Sequence, residues 1–65
     1  MQVFVVTYYF KNELVKTVRA NDARTPIFVP RIGDNVCWSD NIGDCGKVYN
    51  VELHVFSNTA KVFLS

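Results

Sequence analysis

Between Lys47 and Ser65 apolar residues fall at alternate positions, first Tyr49, Val51, Leu53 and Val55, then Ala60, Val62 and Leu64, with the phase changing at Ser57-Asn58. Period-two alternation over two runs joined by polar residues predicts a β-hairpin. With Ser57-Asn58 as its turn, Val55 is expected to face Ala60, Leu53 to face Val62 and Val51 to face Leu64, so that one side of the ribbon is wholly apolar. The other side then pairs Phe56 with Thr59, His54 with Lys61 and Glu52 with Phe63. A slip of one residue would carry Glu52 and Lys61 into the core, which specifies the register.

The start of the chain predicts a second hairpin. Val3 to Phe10 is rich in Val, Phe and Tyr, and Lys11-Asn12 is the expected turn. Folding there sets Tyr9 against Leu14, Val5 against Val18 and Val3 against Ala20 on the expected core face, with Thr7 and Lys16 between them. The opposite face holds Phe4, Val6, Tyr8 and Phe10 across from Arg19, Thr17, Val15 and Glu13. A first strand apolar on both sides is the feature that needs an explanation.

The middle is punctuated. Asn21 to Thr25 is polar, and Pro26 and Pro30 bracket Ile27-Phe28-Val29, which predicts an edge strand or an extended link because proline brings no N–H to a ladder. Ile32-Gly33-Asp34 predicts a tight turn, Asn35-Val36-Cys37-Trp38 a further strand, and Ser39 to Gly46 a polar loop. Residues 1–65 thus read as a single all-β domain of about five short antiparallel strands, either a small barrel or a strongly curled sheet that hides its edges.

A chain of 65 residues buries only about 60% of the surface its unfolded form exposes, so its core is thin. With hydrophobic residues at 49% of the total, self-association as a homodimer is expected to supply the missing burial. The net charge of +1 gives a phosphate backbone no bulk attraction. Met1 leads straight into strand-like text, so no export signal is expected and the cytoplasm is the default compartment, where Cys37 and Cys45 are expected as free thiols. A disulfide closing the short loop between them is the sharper alternative.

The run Pro30-Arg31-Ile32-Gly33-Asp34-Asn35-Val36, followed by Gly46-Lys47-Val48-Tyr49-Asn50-Val51, resembles a phrasing common in SH3-like small barrels. The resemblance covers the second half of the chain and implies the fold more than a function. The chain lacks the acidic loop and paired-tryptophan groove of the peptide-binding members. It also resembles short reading frames of phages and mobile elements, which implies a β-rich inhibitor of a host defence protein.

Catalytic chemistry finds little support. His54 is expected opposite Lys61 with no orienting partner, which reads as a strand histidine rather than a base. Zinc wants about four ligands, against Cys37, Cys45 and His54. Asp40 and Asp44 read as turn residues rather than calcium ligands. No enclosed pocket is expected in so small a barrel. The expectation is a non-enzymatic binding protein without a cofactor, acting on a protein partner through the aromatic row Phe4, Val6, Tyr8 and Phe10, with Arg19 beside it. The alternative is a single-stranded nucleic-acid binder stacking bases on the same rings. Internal packing of the row, under a lid formed by Ile27-Phe28-Val29, is the structural reading set against both. Trp38 either plugs the end of the barrel or anchors a partner.

Overall fold

The computed structural model describes residues 2–21 and 27–65. Five strands, β1 (Val5–Phe10), β2 (Glu13–Arg19), β3 (Asn35–Cys37), β4 (Cys45–His54) and β5 (Thr59–Leu64), form one strongly curled sheet in the order β2-β1-β5-β4-β3. The expected all-β class holds, but the sheet is mixed, because β1 and β5 lie side by side in parallel. The reason is topological. The first hairpin contributes β2 and β1 and the second β5 and β4, and the two lie side by side so that β1 meets β5 while β2 and β3 take the edges. The expectation for Pro26 and for the polar stretch to Thr25 lies, beyond Asn21, outside the described residues.

Both hairpins form where expected, and both shift register at a bulge. In the first, Lys11 and Asn12 take φ of 52° and 66°, the positive values a two-residue turn needs to match strand twist. Tyr9 faces Leu14 as expected, but an irregularity between Tyr8 and Tyr9 then sets Tyr8 opposite Lys16 and Val6 opposite Val18. The extra residue reverses the phase beyond it. In the second, the turn widens to Val55 through Asn58, so Leu53 faces Ala60 and Val51 faces Val62. That is a slip of two, which keeps the side chains from Val51 to His54 on their expected faces. Glu52 consequently sits opposite Lys61 and His54 opposite Thr59, and an irregularity between Val48 and Asn50 puts Val48, not Tyr49, into the core.

The core is Val3, Val6, Val48, Ala60, Val62 and Leu64. Val6, Tyr8 and Phe10 align with Ala60, Val62 and Leu64 in the parallel ladder and so share their face. The expected core face of the first strand is therefore corrected: the even-numbered row points inward, and Val5, Thr7 and Tyr9 point out. A bend at Phe4 lets Val3 and Val6, three residues apart, both be buried. A first strand apolar on both sides is explained by its central place, with core on one face and aromatic neighbours on the other.

Residues 27–33 strap the concave side. Ile27 donates to the Val3 carbonyl at 3.0 Å and Gly33 to the Val48 carbonyl at 2.9 Å, while Ile27 and Val29 pack on the core. The turn at Gly33 matches expectation: Gly33 has φ of 97°, and an Asp34 carboxylate oxygen accepts from the Arg31 N–H at 2.8 Å. Gly46 cannot carry a side chain without disturbance, since a Cβ there would lie 3.0 Å from the Leu64 Cβ and 3.3 Å from the Phe10 ring. Cys37 and Cys45 face each other across β3 and β4 and are joined as a disulfide, which corrects the free-thiol expectation. Among the described residues no helix is long and apolar enough to cross a membrane.

Desolvation raises the Tyr8 phenol above its ordinary value. A folded pKa above the unfolded one means that the unfolded chain loses its proton first. The term is therefore absent below pH of about 10 and destabilises the fold as pH climbs past it. Tyr8→Phe should lose less stability than the parent between about pH 8 and about pH 10.5, read from urea midpoints. An identical alkaline loss in both proteins would show that Tyr8 is not the sensitive group.

Candidate functional site

The residues expected to form a contact surface do not form one together. Val6 is 0% exposed, and Tyr8 and Phe10 are half-buried against the core. Phe4 is half-buried at the bend, its N–H donating to the Asn58 carbonyl at 2.9 Å. Arg19 is exposed but stands opposite Val5, on the outer face. Trp38 is half-buried and packs its ring 5.0 Å from that of Phe10, closing one end of the curled sheet. This is the plug arrangement. Lys11 Nζ lies 5.4 Å from the centre of the Phe10 ring, over its remaining face.

The outer face carries a different aromatic row, which sequence reading missed. Register places Leu14, Tyr9, Phe63 and Asn50 side by side across β2, β1, β5 and β4. Tyr9 stacks on Phe63 at 5.3 Å and 19°, and Tyr49 tilts toward Phe63 at 6.4 Å. Neighbouring strands lie about 4.8 Å apart, so rings stacked at close to that spacing stand upright and turn their edges to solvent. One face of Tyr9 and one face of Phe63 are occupied by each other. Lys61 Nζ, 6.0 Å from the Tyr9 ring centre, adds a cation above the row. The signal for this row, Tyr9 opposite Phe63, rests on a parallel pairing of the two ends of the chain that no local pattern reveals.

A second surface is concave and apolar. Val3, Val29, Pro30, Ile32, Val51 and Leu53 line an open groove of about 860 Å³, with Arg31 as the one charged residue in its lining among the described residues. Its origin lies in the closing hairpin. The apolar side of that ribbon is fully buried at Val48, Val62 and Leu64, but it runs on past the strap, leaving Leu53 56% exposed, and Ile32 on the strap itself is 68% exposed. Val55 is also bare, and Phe56 at the turn is fully exposed. Exposed residues of this size, gathered around one groove, are unusual on a monomer surface and mark contact sites. The expectation of no enclosed pocket is met by an open groove of substantial volume instead.

Among the described residues no three His, Cys, Asp or Glu side chains cluster as metal ligands would. Asp44 Oδ2 accepts from Ser39 Oγ at 2.6 Å and lies 3.5 Å from Asn41 Nδ2, which is loop-fixing chemistry. His54 Nε2 approaches Glu52 Oε1 at 3.4 Å without an aligned hydrogen bond, so its partner is a strand neighbour two residues away. The chain matches no protein-family model, no curated protein and no solved structure.

Proposed function

We propose that the protein is a non-catalytic binding module whose contact surface is the groove bounded by Leu53, Val51, Ile32 and Val29, and not the row of Phe4, Val6, Tyr8 and Phe10. One observation carries the reading. A single apolar ribbon side is sealed at one end and bare at the other, with Leu53 and Val55 exposed on the strand pair that buries Val62 and Leu64. Fully covering one side chain of Leu or Ile size stabilises by about 1.5–3 kcal/mol, so a partner seated there has a sizeable driving force. A protein partner suits this surface better than single-stranded nucleic acid. One face of Tyr9 and one of Phe63 are taken by their mutual stacking, and a net charge of +1 gives a phosphate backbone no bulk attraction. Inhibition of a host protein, as the likeness to short phage reading frames implies, is one role such a module performs by occupying a partner's surface. The small SH3-like barrel, the cytoplasmic setting and the homodimer belong to the same proposal. An exposed bridge between Cys37 and Cys45 fits a reducing cytoplasm only if the fold survives its loss.

The test is a selection of peptides from a random library on the intact chain. Leu53→Asp should weaken the recovered binders by roughly 30-fold or more, the effect of removing a contact worth about 2 kcal/mol, while Tyr49→Asp on the outer side leaves them unchanged. Recovered binders indifferent to Leu53→Asp but lost with Tyr49→Asp would move the site to the outer row.

A further inference from the structure

Resting on the groove reading, we infer that the occupant is an extended apolar segment of a partner protein that carries an acidic side chain, held at its charged end by Arg31. Three observations support this. Among the described residues the lining is apolar except for Arg31, and no carboxylate forms an ion pair with that guanidinium, the Asp34 carboxylate being engaged by the Arg31 backbone N–H. An unpaired cation beside an apolar wall is complementary to an anion beside an apolar chain, and arginine suits a carboxylate because its planar fork matches both oxygens.

The openness of the groove selects a peptide over a free amphiphile. A small ligand wants most of its surface enclosed, whereas this groove is open, with its walls at Ile32 and Leu53 more than half exposed, and covers its occupant on one side only. A segment whose other side is covered by its own protein meets that geometry. Val51 and Leu53 project from alternate positions of β4, so an extended segment lying along them presents its apolar residues at every second position. The acidic residue then falls where the segment leaves the groove beside Arg31.

The experiment uses the full chain and two fluorescein-labelled peptides of alternating Leu and Val, identical except that one carries Glu where the other carries Gln. Fluorescence polarisation should show the Glu peptide binding about tenfold more tightly, the scale of one charge-assisted hydrogen bond. Arg31→Gln should bring the two affinities together without altering the urea midpoint, and so should added salt. Equal affinities in the parent, both lost on Leu53→Asp, would overturn the acidic requirement while leaving the groove in place. Binding untouched by Leu53→Asp would remove the groove itself, and absence of binding by either peptide would overturn the inference. A concentration-dependent dimer that Leu53→Asp splits, seen by sedimentation, would overturn it too, by making the occupant a second copy of the chain.

Discussion

Val6→Asp should abolish folding, whereas Val5→Asp, one position earlier, should leave a folded protein. Val6 is fully buried among Ala60, Val62 and Val48, with no polar side chain in that core to receive a carboxylate. Placing an unpaired polar group there costs about 2–7 kcal/mol, more if it stays charged. A chain of 65 residues has about 3–10 kcal/mol of stability in all, so the substitution removes most or all of it. Val5 lies on the outer face between Arg19 and Thr59, half exposed, where aspartate meets water and a guanidinium and costs about 1 kcal/mol through its poor strand propensity. Circular dichroism and urea denaturation of the pair separate the two faces of β1. A folded Val6→Asp beside an unfolded Val5→Asp would restore the opposite facing and return Phe4, Val6, Tyr8 and Phe10 to the surface.

Breaking the Cys37–Cys45 bridge should cost the next largest amount. The bridge spans a sequence separation of 8, and for a loop of that length the chain-entropy relation gives about 2.5 kcal/mol. In a domain this small that lowers the melting temperature by roughly 10–20 °C. The bridge clamps β3, only three residues long, to β4 and holds the loop that carries Trp38 over Phe10. Reduction should therefore also change the tryptophan fluorescence, because the indole loses its ring contact and gains water. The double variant Cys37→Ser/Cys45→Ser should match the reduced parent in both respects. Unchanged melting on reduction would show that β3 is held by its ladder and by Trp38 alone.

The two predictions bear on different links between text and fold. Local pattern was enough for the strands, for the Lys11-Asn12 turn, for the place of the second hairpin though not for its four-residue turn, and for the left-handed glycine at Gly33, because each depends on neighbours within a few residues. For the proline-bracketed run it was enough in part, since Ile27 and Val29 pack on the core while Phe28 between them is exposed. Facing was another matter. A single bulged residue, Val15 on β2 opposite the Tyr8–Tyr9 step, inverts the phase of a hairpin, and its signal is weak because Val15, Lys16 and Thr17 tolerate either side of an edge strand.

The candidate site was legible only in part. Leu53 and Val55 were readable as one side of an apolar ribbon, yet their exposure depends on where the strap of residues 27–33 ends, and no period encodes that. Arg31 gave no signal, since an arginine beside a turn is ordinary until apolar walls from β4 and the amino-terminal segment stand around it. The outer row of Tyr9, Phe63 and Tyr49 was equally hidden.

By itself the sequence determined the all-β class, the two hairpins and the Lys11-Asn12 turn, because alternation, β-branched and aromatic residues and turn formers act over a few residues. Tertiary structure alone decided that β1 and β5 run parallel at the centre, that Val6 points inward and that Leu53 stays bare. Those outcomes depend on contacts between the two ends of the chain, and burial is a property of the assembled layers that no short window of residues carries.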